Sequence, residues 1–151
     1  MKHLITSVLF IAFGMLSAQS NFKKGMDKAF ELLQSDKPDE AINLFERIAN
    51  AEKDNWLPHY YIAQINSIKS WNVKEETQLK AQLDKAQEHL NTAMALSKNN
   101  PELMVMQGQI YTNWIAFDGR TYGMKYSAKV SELYNNAYKL APKNPRVVMC
   151  K

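Results

Sequence analysis

Three segments of the chain carry the same spacing of small and apolar residues. In each segment these residues recur at steps of three and four, so they line one face of an α-helix. Asparagines lie at 21, 55, 100 and 144, at spacings of 34, 45 and 44 residues, and each precedes the predicted start of the first helix of a pair. Because one helix pair cannot bury its apolar face alone, this register predicts stacked helix pairs that share a core. The positions in register are Ala41, Phe45 and Ile48, then Ala86, Leu90 and Ala93, then Val130, Tyr134 and Ala137.

The clearest unit lies at residues 99–142, where a polar stretch joins two apolar runs. Asn100 is a residue type that caps helix N-termini, and Pro101 suits a first helical turn, which needs no backbone N–H donor. Gly108 falls in the middle of the first helix, where glycine costs roughly 1 kcal/mol relative to alanine. We therefore predict that a neighbouring helix approaches Gly108 closely.

Gly108 followed by Tyr111, and Ala137 followed by Pro142, resemble the tetratricopeptide repeat. The chain is similar to small exported tetratricopeptide-type proteins of Gram-negative bacteria. The resemblance implies an all-α, right-handed α-solenoid of about three helix–turn–helix repeats at 22–55, 56–100 and 101–144, with the start of a fourth at 145–151. A spacing of 34 residues is the tetratricopeptide period, whereas a spacing near 44 also suits HEAT-like repeats. The additional residues lie at 70–77 and 117–126, which we predict to be loops between paired helices.

The N-terminus has the pattern of a secretory signal peptide. Lys2 and His3 precede an apolar run from Leu4 to Leu16, and the small residues Ser17 and Ala18 follow it. We predict a signal peptide at 1–18, a helical repeat domain at 19–151, and export to the periplasm or the extracellular space. The run is shorter than the ~20 residues that span a bilayer, and we expect no membrane span in the mature chain. The alternative is an N-terminal segment that is retained as an anchor.

Composition and motifs argue against several classes of function. The formal net charge of +4 is spread along the chain without a basic block, so we expect no nucleic-acid partner. The single cysteine, Cys150, cannot form an internal disulfide. His59 and His89 do not have the spacing of metal ligands, and no phosphate-binding loop or nucleophile–base arrangement is evident. We therefore predict a protein that is not an enzyme and holds no metal or cofactor.

The most distinctive polar segment is the predicted loop at 118–126. Arginine and tyrosine are enriched at binding hot spots, and binding residues often lie on loops. The alternative is that the two tyrosines pack this loop onto its own helices, while its charged residues pair locally. The candidate binding residues here are Asp118, Arg120, Tyr122, Lys125 and Tyr126.

A second set of candidates follows from the resemblance alone. In tetratricopeptide folds the first helix of each pair lines a concave groove, which implies that Tyr60, Gln64, Gln109 and Asn113 face it. The family's known carboxylate clamp is not matched at the corresponding positions, which hold Met26, Phe30, Gln64 and Glu102.

These observations favour a non-catalytic module of the cell envelope that binds a protein or peptide. Two alternatives stay open at this stage. In the first, the chain is the N-terminal part of a larger scaffold or assembly factor whose site lies in further C-terminal repeats, because Asn144 and Pro145 predict the start of another helix shortly before Lys151. Or it is a small-ligand protein or an enzyme that uses the 118–126 loop.

Overall fold

The computed structural model describes residues 21–150, and most of them lie in α-helices. No strand occurs in this range, so the predicted all-α class is confirmed. The predicted signal peptide at 1–18 lies outside the described residues. The described chain divides into two compact units, at 21–52 and 53–150.

The first unit is a pair of helices, α1 at 21–34 and α2 at Pro38–Ala51. Ala29 on α1 and Ala41 and Phe45 on α2 are fully buried. The ring of Phe30 lies edge-on to that of Phe45, with centroids 5.7 Å apart. The apolar stripe read from the sequence therefore forms the interior of this unit.

The second unit contains five α-helices and a short 3-10 helix. These are α3 (Leu57–Lys69), the 3-10 helix (Ser70–Asn72), α4 (Glu76–Leu96), α5 (Pro101–Phe117), α6 (Gly119–Leu140) and α7 (Pro145–Val148). A buried core joins α3, α4 and α5, and its members include Ala63, Leu83, Leu90, Leu103 and Ile110. The pair α3 and α4 thus packs through the stripe that its sequence spacing predicts, whereas Ala137 is the only buried residue of the predicted stripe on α6.

Three of the four regularly spaced asparagines make the same local hydrogen bond. The side-chain oxygens of Asn55, Asn100 and Asn144 each accept from the backbone N–H two residues later, at 2.9–3.0 Å. Pro101 and Pro145 directly follow two of them, at the first helical position, where no donor is lost. The repeated sequence signal therefore corresponds to a repeated helix start.

Gly108 lies where the sequence predicts a close approach. The ring of Tyr134, on α6, lies directly over it. A Cβ atom added at Gly108 would come within 2.9 Å of Tyr134 Cζ and 3.0 Å of Cδ1, closer than such atoms normally pack. The predicted helix contact is therefore confirmed, and the partner is the aromatic ring of α6.

The predicted loop at 117–126 is wrong, because α5 ends at Phe117 and α6 begins at Gly119. Asp118 alone connects them, and its carboxylate accepts from the backbone N–H groups of Arg120 and Thr121 at 3.0 and 3.2 Å. This cap starts a helix at the point where glycines suggested a turn. No glycine in the described residues has a positive φ, so Gly119 and Gly123 take ordinary helical geometry.

The other predicted loop, at 70–77, is only partly a loop. Its first three residues form the 3-10 helix, and α4 begins at Glu76. The backbone N–H of Val73 donates to the carbonyl of Ser70 at 3.2 Å and closes this turn. The irregular connection is therefore shorter than the sequence suggests.

Candidate binding surfaces

Three of the four predicted groove residues line one cavity. Tyr60 and Gln64 on α3 meet Gln109 on α5, and Arg146 of α7 lines the same cavity, whose volume is about 320 Å³. We call it the groove. The two glutamine side chains are half-buried, whereas the Tyr60 side chain is almost completely buried. α3 and α5 therefore bring polar amides and an aromatic residue together at one surface.

The rim of the groove is apolar and exposed. Ile68 is 59% exposed and Met149 is 88% exposed, and both line the cavity. Val105, which is half-buried, and Met106, which is almost completely buried, also line the cavity. Exposed apolar side chains that adjoin a concave surface are typical of interaction sites.

Arg146 provides the positive charge at the groove. Its guanidinium forms an ion pair with the carboxylate of Glu102 and lies 5.8 Å from the ring centroid of Tyr60. Asn144 Nδ2 donates to the same carboxylate at 3.0 Å. Burial raises the pKa of the Tyr60 phenol, and Arg146 opposes that shift. The phenol is therefore neutral near pH 7 and can both donate and accept a hydrogen bond.

Asn113, the fourth predicted groove residue, is not among the residues that line the groove. Only 3% of its surface is exposed, and its Nδ2 lies 2.8 Å from the carbonyl oxygen and the hydroxyl of Ser67 and from the hydroxyl of Ser70. It thus joins α5 to the end of α3 and the 3-10 helix. An asparagine on the apolar stripe of α5, three residues after Ile110, is the sequence signal for this internal contact.

The candidates from 118–126 lie at the start of α6. Asp118 is the helix cap, and the hydroxyl of Thr121, followed by its backbone N–H, lowers the pKa of the Asp118 carboxyl. Arg120 is exposed. Tyr122, Lys125 and Tyr126 line a cavity of about 400 Å³ together with residues of α4 and α5. We call this the tyrosine cavity.

The rings at the tyrosine cavity pack against one another. Tyr126 stacks on Tyr111 of α5 with centroids 4.6 Å apart and planes 9° apart, and Tyr122 lies 4.8 Å from Trp114. Lys125 Nζ is 4.9 Å from the Tyr126 ring centroid. The two tyrosines of the segment therefore contact the neighbouring helix, which is the alternative that the sequence left open.

Tyr122 also links α6 to α4. Its hydroxyl donates to the carboxylate of Glu76, and this hydrogen bond is the main reason that the pKa of Tyr122 is raised to about 12. The phenol therefore stays protonated throughout the physiological range. Its donor is already used within the fold.

One pair of titratable side chains could not be found from sequence spacing. His59 on α3 and His89 on α4 are 30 residues apart, yet their Nδ1 atoms lie 3.1 Å apart. Burial, and then the charge of His89, lower the pKa of His59. Within residues 21–150 no group of three histidine, cysteine, aspartate or glutamate side chains is arranged to hold a metal ion.

Among the described helices, none combines the length and apolar composition that crossing a bilayer requires. Comparisons with protein-family models, with curated proteins and with solved structures found no match.

Proposed function

We propose that the chain is a non-catalytic module of the cell envelope that binds a peptide segment of a partner protein in the groove. The observation that carries the proposal is that Tyr60, Gln64 and Gln109, from two different helices, line one cavity beside an exposed apolar rim. Extended concave surfaces of stacked helix pairs are what helical repeat proteins use for binding.

The groove chemistry suits an extended peptide with an apolar side chain. A glutamine amide carries both a donor and an acceptor, so it can pair with the N–H and C=O groups of a peptide backbone. The apolar side chains of Val105 and Ile68, which line the groove, offer a surface against which an apolar side chain of the ligand can pack. Arg146 already pairs with Glu102, so the ligand needs no carboxylate at this point.

The proposal includes a tetratricopeptide-like architecture. We infer three right-handed repeats at 22–55, 56–100 and 101–144, with α7 opening a fourth. The shared hydrogen bonds of Asn55, Asn100 and Asn144 support this division, because each marks the start of the first helix of a pair.

The test begins with a random peptide library displayed on phage and selected against the whole chain. Recovered peptides are titrated by fluorescence polarisation against the wild type and Gln64→Ala/Gln109→Ala. The double variant should weaken binding by about tenfold or more, because two amide contacts of about 1 kcal/mol each are lost. Gln78→Ala, an exposed glutamine of α4, is the matched control and should leave affinity unchanged.

Two results would contradict the groove assignment. One is the recovery of no peptide at all. The other is equal affinity for the wild type and the Gln64/Gln109 variant, with binding lost instead in Tyr122→Ala/Lys125→Ala, which would move the site to the tyrosine cavity.

Export has a separate test. The apolar run from Leu4 to Leu16 supports removal of a signal peptide. Mass spectrometry of the protein purified from its native cell envelope should find a chain that begins at or near Gln19. A cytosolic product that retains Met1 would refute export and leave the peptide titrations unaffected.

A further inference from the structure

The pair of imidazoles formed by His59 and His89 lies apart from both candidate binding surfaces. His59 is on α3 and His89 is on α4, and neither residue lines the groove or the tyrosine cavity. Both residues are half-buried, so the pair is within reach of solvent. Histidine is the commonest metal ligand among side chains, which makes the geometry of this pair informative.

The packing of α3 against α4 holds the two histidines near each other. Ala63 lies one turn after His59 on α3 and is fully buried. Ala86 and Ala93 flank His89 on α4 and are fully buried in the same core. Because the distance between packed helices depends on the side chains at the contact, these alanines keep the two backbones close. The position of the pair is therefore set by the core of the helix pair.

Each imidazole directs its Nδ1 edge at the other ring. The two Nδ1 atoms lie 3.1 Å apart, whereas the ring centroids lie 5.3 Å apart. The nitrogen edges therefore meet, and the ring faces do not stack. In the neutral pair one Nδ1–H group donates to the Nδ1 atom of the other ring.

The separation of the two nitrogens also suits two ligands of one metal ion. Histidine nitrogens bind Zn²⁺ at about 2.0–2.1 Å. Two such nitrogens lie about 2.8–3.0 Å apart at the right angle of a square-planar site and about 3.3–3.4 Å apart at the tetrahedral angle. The observed 3.1 Å falls between these values. A cation can therefore replace the shared proton after a turn of each ring and a change of about 0.3 Å in the separation.

The protonation state of His59 near pH 7 favours metal binding. Burial, and then the charge of His89, lower the pKa of His59, so its imidazole is neutral, which is the form that binds metals. When a cation binds, the shared proton leaves Nδ1, and the same ring takes up a proton from water at Nε2. Both Nδ1 lone pairs then face the metal, and no net proton is released.

The ligand type indicates which cations fit. Imidazole nitrogen suits Cu²⁺ and Zn²⁺, whereas Mg²⁺ and Ca²⁺ prefer oxygen ligands. Among the residues that the structure describes, no third histidine, cysteine, aspartate or glutamate joins the pair. Water therefore fills the other coordination positions, and binding is reversible. Cu²⁺ should bind more tightly than Zn²⁺, as it does to most nitrogen ligands.

We propose that His59 and His89 bind one transition-metal ion, Cu²⁺ or Zn²⁺, through their Nδ1 atoms. The ion bridges α3 and α4 at the surface of the helix pair. Because the two nitrogens meet only in the folded chain, binding stabilises the fold. The site shares no residue with the peptide groove, so its failure would leave the proposed peptide binding unaffected.

The first test needs no variant. Zn²⁺ is titrated into the whole, untagged, ¹⁵N-labelled chain while the imidazole nitrogens are followed by NMR. We expect the Nδ1 signals of His59 and His89 to shift together and to saturate at one Zn²⁺ per chain, with the proton of each ring on Nε2. His3 is the only other histidine and serves as the internal reference, which should not follow this saturation. Mg²⁺ at the same concentrations should shift neither Nδ1 signal.

Calorimetric titration of Cu²⁺ and Zn²⁺ then compares variants. His59→Gln and His89→Gln should each weaken binding at least about tenfold, since the loss of even an outer partner of a metal ligand commonly costs that much. His3→Gln is the matched control and should keep the affinity of the wild type. Saturating Zn²⁺ should raise the urea midpoint of the wild type and of His3→Gln but not that of either other variant.

Four results would overturn the proposal. The first is a titration in which the two Nδ1 signals do not shift together. The second is full affinity in His59→Gln or His89→Gln, and the third is an equal loss of affinity in His3→Gln. The fourth is Zn²⁺ binding that leaves the urea midpoint of the wild type unchanged, which would mean that the ion does not bridge the helices. Circular dichroism without metal checks that each variant is folded, and the NMR titration of the wild type decides alone if one is not.

Discussion

Gly108 shows how the absence of one side chain sets the contact between two helices. Alanine at this position would gain up to about 1 kcal/mol of helix propensity. Its Cβ, however, would overlap the ring of Tyr134, and overpacking costs about 1–3 kcal/mol. We expect Gly108→Ala to lower the free energy of unfolding by up to about 2 kcal/mol and Gly108→Leu to lower it further, measured by urea titration.

The matched control is Gly123→Ala on α6. A Cβ at this position meets nothing within 4 Å, so the substitution should stabilise the chain by up to about 1 kcal/mol. Truncation of the ring in Gly108→Ala/Tyr134→Leu should recover part of the loss. A Gly108→Ala variant more stable than the wild type would show that Tyr134 moves aside at no cost.

The histidine pair gives the chain a stability that depends on pH. The pKa of His59 is lower in the folded chain than the ordinary value of about 6.5, so the folded state binds fewer protons than the unfolded state. The contribution of His59 to the free energy of unfolding is present in full above the pKa that it has in the unfolded chain. It is lost as pH falls from about 6.5 towards the folded pKa. Urea midpoints at pH 7.5 and 5.0 should therefore differ.

His59→Gln tests the assignment, because glutamine keeps a polar side chain next to His89 but does not titrate. The variant should show a smaller drop in midpoint between pH 7.5 and 5.0 than the wild type. An unchanged drop would assign the effect to other groups.

At the scale of elements, one capping residue sets where α6 begins. Asp118 accepts from two backbone N–H groups and also from the Thr121 hydroxyl. Asp118→Ala should fray the first turn of α6, which amide hydrogen exchange measures as faster exchange at Arg120 and Thr121. Asp118→Asn keeps a capping oxygen and should preserve most of the protection.

The cap also has a defined pH dependence. Because hydrogen bonds lower the pKa of Asp118 in the fold, its contribution is present above the unfolded pKa of about 3.9 and is lost as pH falls through the folded pKa. The protection of Arg120 and Thr121 should decline in that acidic window in the wild type but not in Asp118→Asn. Equal behaviour of the two chains would mean that the carboxylate is not the cap.

At the scale of the molecule, the two units differ in what they can bury. The unit at 53–150 contains its own buried core across α3, α4 and α5, and its length lies within the range of independent domains. The unit at 21–52 is a single helix pair. It is shorter than roughly 40 residues, the length below which a chain usually needs disulfides, metals or oligomerisation to fold.

We therefore expect residues 53–151, expressed alone, to fold. Far-ultraviolet circular dichroism should show a spectrum dominated by helix, with a cooperative thermal transition, whereas residues 21–52 alone should be largely unstructured. A fragment 53–151 without a cooperative transition would show that its core is insufficient.

The sequence by itself determined most of the helical stretches and many of the residues that face the core. Helix starts depend on neighbours along the chain, such as Asn100 with Pro101, and the apolar stripes depend on the helical period. The close helix contact at Gly108 was also predictable, since a glycine inside a helix lowers stability unless a neighbouring helix needs the space. These properties depend on residues that are close along the chain, so they can be predicted from the amino-acid sequence.

The tertiary structure alone decided which distant side chains meet. His59 and His89 are separated by 30 residues, and Asn113 is 46 residues from Ser67, so no local spacing could pair them. The start of α6 was misread because its glycines favour a turn locally, while the Asp118 cap and the packing of Tyr122 and Tyr126 on α5 stabilise a helix. The hydrogen bonds of Asn113 arise in the same way, because only the packed helices bring its amide to Ser67 and Ser70.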